Sequence, residues 1–284
     1  MEQLFIGIVV LGIAIAVRRK EALAVRWQPT RHTWVAMGAG LLAFALSASL
    51  LLVGTESLAG RLIHYGGIYV VCGVDIPWGY TLLVEREKLA ALGLRRERLV
   101  VSLILSLVLT GLFLPLLLLE GNLGAVDPGQ LGRAVVVLAG AGGLLELFLY
   151  YGFIHLRLEK AFGPIPAILL TSVLYVAWHT GTQLPLETDP WLAAVKLFGV
   201  GLMYQSVFSL TRNLLVIWPF FHAVGVMIDF AVNIGDVERV SAAFPWAVGA
   251  LGLMAATGAL LAWLARRQTV PLPGDAQAAL LNKP

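Results

Sequence analysis

The sequence predicts an all-α integral membrane protein, a polytopic helical bundle of about eight to nine transmembrane helices. Three observations predict it. Hydrophobic residues make up 59% of the 284 positions and Asp, Glu, Lys and Arg only 13%, about half the charged fraction of an ordinary globular domain. Apolar runs long enough to cross a hydrocarbon layer follow one another along the chain. The basic residues gather in alternate connections, as they do in polytopic proteins.

The first span, near 3–17, lacks basic residues ahead of its apolar run and has Arg18, Arg19 and Lys20 behind it, the reverse of a cleaved signal peptide. The second, 34–53, opens on Trp34, an aromatic of the kind that anchors helix ends at the head-group level. The third, 63–84, carries Asp75 ahead of Pro77, so a helix break or cap is expected there. The fourth, 99–119, follows Arg95, Arg96 and Arg98. The fifth, 132–155, opens with Gly140, Gly142 and Gly143, small residues that let helices approach closely. The sixth, 164–180, starts at Pro164. The seventh, eighth and ninth lie near 192–210, 214–233 and 246–265. Trp191, Trp246 and Trp263 fall close to their ends. The first and sixth are short and the third is interrupted, which is why the count is eight to nine. No soluble block separates the spans, so residues 1–268 form one membrane domain. The segment 269–284, polar and containing Pro271 and Pro273, reads as a disordered cytoplasmic tail.

Charge sets the orientation. With the amino terminus outside, alternate connections hold 16 of the 20 Lys and Arg residues, while Arg61, Arg133, Lys196 and Arg239 lie on the other side. The positive-inside rule then puts the larger set, and the carboxyl terminus, in the cytoplasm. The net charge of +3 reflects this orientation, and no nucleic-acid partner is expected. The single cysteine, Cys72, rules out an internal disulfide and a cysteine-based zinc site; it reads as a packing residue.

Three ionisable residues stand inside apolar segments: Glu146 in AGAGGLLELFLYYGFI, His179 in AILLTSVLYVAWHT and His222 in LLVIWPFFHAVGVMI. An acidic residue at a helix centre costs roughly 2.5 kcal/mol or more. Such residues usually face a bundle interior, and three on separate spans point to one site able to transfer protons or bind a metal. Helical rise sets Glu146 roughly 16 Å from Arg157, His222 roughly 15 Å from Arg212 and His179 roughly 22 Å from Pro164, so His179 is expected to lie deeper by about 6 Å. Tyr151 and Tyr175 are secondary candidates as hydrogen-bonding phenols, although aromatic packing is the simpler reading for both and for Tyr150. Asp229 is a third secondary candidate: it lies on the His222 stripe at i+7, with Asn233 at i+11, two polar substitutes for a lost donor although one and two turns too far to replace it directly. Arg157 and Lys160 read as cytoplasmic anchors and His155 with Glu159 as a solvated pair. His32 and His64 carry no signal.

Glu146-Leu-Phe-Leu-Tyr-Tyr-Gly152, Tyr175-x-x-x-His179 and His222-x-x-x-Val226 resemble, in order and spacing, the EExxxR, FxxxH and HxxxN motifs of the CAAX protease and bacteriocin-processing (CPBP, Abi-type) family of intramembrane glutamic endopeptidases. The resemblance spans about residues 130–235. Leu147 replaces the second glutamate, Tyr151 the arginine, Tyr175 the phenylalanine and Val226 the asparagine. The resemblance implies an intramembrane endopeptidase in a prokaryotic cytoplasmic membrane, with no cofactor, acting on a membrane-associated or lipid-modified peptide near the cytoplasmic leaflet. It implies that Glu146 with His179 activates water and that His222 donates to the oxyanion. Val226 cannot donate a hydrogen bond, and one lost oxyanion donor can cost about 100-fold or more in rate.

Other readings stay open. Glu146, His179 and His222 are also a possible zinc ligand set with room for water, although the HExxH pair on one helix is missing. A catalytically impaired member serving as scaffold or immunity factor would tolerate Leu147, Tyr151 and Val226. A transporter would use buried Glu and His as a proton relay.

Overall fold

The computed structural model describes residues 2–21, 23–120, 127–182, 189–232 and 237–268. Among them the chain is helical and contains no strand. Nine helices follow in order: α1 Glu2–Arg18, α2 Arg31–Val53, α3 Leu58–Val84, α4 Leu99–Glu120, α5 Pro128–Phe162, α6 Pro164–Trp178, α7 Pro190–Thr211, α8 Phe220–Val232 and α9 Val237–Gln268. A short helical turn, Leu214–Ile217, leads into α8. Helices α2, α3, α5, α7 and α9 are long and apolar enough to cross a membrane, and α4 and α6 contribute shorter apolar stretches. The segment 269–284, assigned above to a disordered tail, lies outside the described residues.

Helix α5 is the axis of the bundle. Every residue from Leu147 to Ile154 is buried, and α5 packs against α2, α3, α6, α7 and α9. A helix apolar around its whole circumference is expected at such a position. The outer helices instead turn large apolar side chains outward, such as Leu52, Val100 and Leu112. That inverted surface is what a lipid environment favours, since lipid tails are as apolar as leucine. Trp34, Trp191 and Trp263 are exposed near helix ends. Trp246 differs from the anchor expected of it: its ring packs against Tyr65 and beneath Arg61.

Small residues set the closest crossings. Gly7 of α1 and Gly199 of α7 meet backbone to backbone, with no room for a methyl group on either. This contact secures the short first helix against the bundle. Helix α3 runs unbroken through Asp75 and Pro77, where a wide i→i−5 hydrogen-bonding register over Leu62–Asp75 passes into the turn Ile76–Gly79. The break or cap expected at Asp75 is absent: its side chain caps nothing, and Oδ1 is buried without a hydrogen-bond partner among the described residues. Proline lacks an amide hydrogen and needs an adjusted register around it; the shift of register does what a break would have done.

Basic residues from distant parts of the chain meet at one end of the bundle. Glu159 Oε1 accepts from Arg18 Nη1 at 2.8 Å and from Arg212 Nη2, while the Arg26 guanidinium donates to the Glu159 carbonyl at 2.9 Å. Arg157 donates to Glu85, to Thr81 at 2.9 Å and to the Phe153 carbonyl at 3.1 Å. His155, Arg157 and Glu159 are all buried. The sequence reading of His155 and Glu159 as a solvated pair is therefore corrected, and Arg157, expected as a cytoplasmic anchor, is buried and paired at that end. The helix continues five residues past Arg157 to Phe162, and the segment 24–28 lies over its end, with Arg26 and Gln28 amides donating to Phe162 and Ala161 carbonyls. Charges shielded in this way must be paired, because an unpaired buried ion costs several kcal/mol. The opposite end holds Arg61 with Glu56 and Arg133 with Ser241.

Candidate active site

Helices α5, α6 and α8 bring the three expected residues together. His222 Nε2 lies 2.8 Å from Glu146 Oε2, and His179 Nε2 lies 3.5 Å from Glu146 Oε1. All three are buried. One carboxylate thus faces two imidazoles, one at each oxygen.

The depth offset expected for His179 is not found, and the reason is the wrong yardstick. Arg157 is not where α5 ends. Measured to Phe162, Glu146 lies sixteen residues from the helix end, roughly 24 Å of rise. His179 lies fifteen residues past Pro164, roughly 22 Å on the same rule. Helices α5 and α6 form an antiparallel hairpin about Gly163, whose φ of 96° suits a residue without Cβ. Residues equally far from such a turn lie side by side.

Local structure orients each group. His179 is the C-terminal cap of α6, and its Nδ1 donates to the Tyr175 carbonyl at 2.7 Å. That bond fixes the ring and leaves Nε2 facing Glu146. The rings of Tyr175 and Trp178 lie 4.6 and 4.2 Å from the imidazole. Tyr175 therefore supports His179 through its ring and its carbonyl, which agrees with the packing reading. His222, in the first turn of α8, rests on Gly143: a methyl group there would sit 3.0 Å from Nδ1 and 3.1 Å from Cε1. Of the glycines ahead of Glu146 only Gly143 is a place of close approach, and what approaches it is the imidazole itself; Gly140 and Gly142 have room for a methyl group at ordinary contact distance. Gly143→Leu is expected to displace His222, lowering any activity that depends on it while leaving the helical content by circular dichroism unchanged.

Tyr151 reaches Glu146. Its hydroxyl donates to Oε2 at 3.4 Å from five residues along the helix, the spacing that shares a face in the i→i−5 register of Glu146–His155. The phenol thus supplies a donor to the carboxylate at the position where the CPBP motif has arginine. Leu147 is buried in the apolar core, and Val226 is partly buried against that core. The Asp229 side chain and Asn233 lie outside the described residues.

Two residues of the site wall gave no signal in the sequence. Tyr204 of α7 packs between Tyr151 and His222, with ring centroids at 5.9 and 5.5 Å. The Trp218 indole donates to the Ala139 carbonyl at 3.0 Å and holds the start of α8 against α5. Aromatic residues in apolar spans are too common for either to stand out before the helices are assembled.

Among the described residues, no group of three or more His, Cys, Asp or Glu side chains is arranged to hold a metal ion. At 2.8 Å, His222 and Glu146 are spaced as a hydrogen-bonded pair. The arrangement is suited to moving protons: a carboxylate with an imidazole on each oxygen and a phenol beside it can take a proton from water and return it to a leaving group.

No curated protein and no solved structure matches the chain. A family model does match, that of the type II CAAX prenyl endopeptidase Rce1-like proteins, over residues 129–228. That stretch holds α5 almost entire, α6, α7 and the first part of α8, and with them Glu146, His179 and His222. The segment that builds the site is therefore similar to the Rce1-like proteases, a resemblance consistent with the CPBP family.

Proposed function

We propose that this chain is an intramembrane endopeptidase that uses Glu146 to activate water against a membrane-associated or lipid-modified peptide. The single observation that carries the proposal is the convergence of Glu146, His179 and His222, from three helices, in one buried cluster within the Rce1-like segment.

In this reading a water molecule beside Glu146 and His179 gives up a proton to the carboxylate and attacks the scissile carbonyl. His222 Nε2, held toward the same centre, donates to the oxygen that becomes negative, with the Tyr151 hydroxyl near it. Glu146 then passes its proton to the departing amine, so the carboxylate ends as it began. Such preorganised donors need no reorganisation at the moment of reaction, which is the main source of their effect. The bundle excludes bulk water, and electrostatic interactions are stronger there. The basic end of the bundle, with Arg26, Arg157 and Arg212, faces the cytoplasm; the peptide enters from that leaflet of a prokaryotic cytoplasmic membrane and is cleaved at the buried cluster, about 24 Å of helical rise from that end. The reaction needs no cofactor.

The test is cleavage of a membrane-peptide library by purified protein in detergent, compared with Glu146→Ala, in the presence and absence of a chelator. The proposal expects cleavage by the parent that is lost in the variant and indifferent to chelation. Loss on chelation, restored by zinc, would instead support the metal reading of the same three side chains.

Val226 offers a second check. It lies one turn from His222 on α8, at the i+4 position that shares its face. Val226→Asn is expected to add a donor beside the oxyanion and raise kcat, by up to about 100-fold if the donor is fully engaged. An unchanged kcat would place the oxyanion elsewhere.

A further inference from the structure

At the basic end of the bundle, outside the candidate active site, a cavity of about 300 Å³ opens between the start of α2, the end of α3 and the last turns of α5. Its charged and polar lining is Arg31, His32, Glu85, Glu87, Arg157 and Lys160. We propose that this cavity binds the phosphate head group of an anionic phospholipid.

The charges divide unevenly. Glu85 is engaged by the Arg157 guanidinium, and His32 Nδ1 lies 3.2 Å from the same carboxylate. Arg31 and Lys160 make no ion pair among the described residues, and both are exposed at the cavity mouth. Against them stands only Glu87. Two cations flanking a concave polar site suit a group with several acceptor oxygens, and arginine matches phosphate geometry in particular. Helix α2 adds to this. Arg31 and His32, its first residues, line the cavity, and the partial positive charge of a helix N-terminus favours an anion beside it; the Thr33 amide is already engaged by the Thr30 carbonyl.

The rim distinguishes a lipid from a free phosphate ester. Val84 lines the opening and is 49% exposed, and one turn down α2 Trp34 and Val35 also face outward. On the connection into α2, Val25 and Trp27 are 75% and 74% exposed, with the Trp27 ring 5.0 Å from Phe162. An amphiphile fits this surface as a whole. Its head group enters the charged cavity, its acyl chains run along the exposed apolar face, and the indole rings mark the boundary between them. A soluble phosphate ester would use only the first of these features.

The experiment is thermal unfolding of the full chain in neutral detergent, followed by tryptophan fluorescence. The added probes are phosphatidylglycerol, phosphatidylcholine and glycerol 3-phosphate, each titrated separately. Phosphatidylglycerol is expected to raise the melting temperature in a saturable way, by mass action on the folded state, and the other two are not. The double variant Arg31→Gln/Lys160→Gln is expected to lose about tenfold or more in apparent affinity. Glu87→Gln, which removes the opposing charge, is expected to tighten binding. A double variant that responds like the parent would overturn the proposal. So would glycerol 3-phosphate acting as strongly as the lipid, which would make the cavity a site for free phosphate esters. Should the double variant fail to fold, Glu87→Gln and the charge-preserving Arg31→Lys carry the test. No tightening in the first, or tighter binding than the parent in the second, would overturn the proposal equally.

Discussion

Glu146→Ala is expected to lower kcat/KM for peptide cleavage by roughly a thousandfold, the scale on which a general base contributes to hydrolysis. Tyr151 and the two histidines converge on it, so removing it takes away the proposed proton acceptor and the group that faces both imidazoles. Glu146→Gln makes the sharper comparison, because it keeps the side-chain volume and one acceptor oxygen while it cannot accept the proton. Initial rates of the two variants and the parent, on a peptide the parent cleaves, decide the matter. Comparable rates would rule out Glu146 as the base. If the variants also retained the cellular phenotype, the fold would be acting as a scaffold or immunity factor. His179→Ala and His222→Ala act through the same centre, so their losses should combine with that of Glu146→Ala far less than additively.

The second large effect falls on stability. Glu159→Ala is expected to destabilise the folded protein by roughly 3 kcal/mol, the cost of removing one partner from a buried ion pair. Glu159 is 3% exposed, and it holds Arg18 from α1 and Arg212 from the end of α7, joining three parts of the chain. Arg18 also donates to Ser209 Oγ at 2.7 Å, so α1 should loosen without leaving entirely. The control is Glu56→Ala, which breaks an exposed pair with Arg61 and should cost well under 1 kcal/mol. Denaturation midpoints for the two variants and the parent make the comparison. Equal midpoints for Glu159→Ala and Glu56→Ala would show that the buried cluster carries no stability of its own.

Hydropathy alone determined the all-α membrane bundle and the approximate place of its eight to nine helices, though not every limit (the last begins at Val237, well before the expected 246), because a span must satisfy its backbone within itself and cover its surface with apolar side chains. Both demands are local and therefore visible in the order of residues. The site residues were legible for a related reason. A carboxylate or an imidazole in an apolar run is costly wherever the helix lies, so Glu146, His179 and His222 stood out before any contact was known. The role of Gly143 as a place of close approach could be anticipated for the same cause, though not its partner.

What the tertiary structure alone decided is pairing. Arg157 and Glu159 looked like residues at the water boundary, since charge near the end of an apolar run usually marks it. Their burial depends on Glu85, Arg18 and Arg212, which lie 72, 141 and 53 residues away, and nothing local records that these will arrive. From that misplaced boundary came the false depth of His179. Once α5 extends to Phe162 and turns at Gly163, His179 comes level with Glu146. Tyr151 and Tyr204 followed the same rule, one reaching the carboxylate through a hydrogen-bonding register the sequence does not display and the other arriving from a separate helix. A sequence shows which residues are costly to bury; only the assembled bundle shows which partners make that burial tolerable.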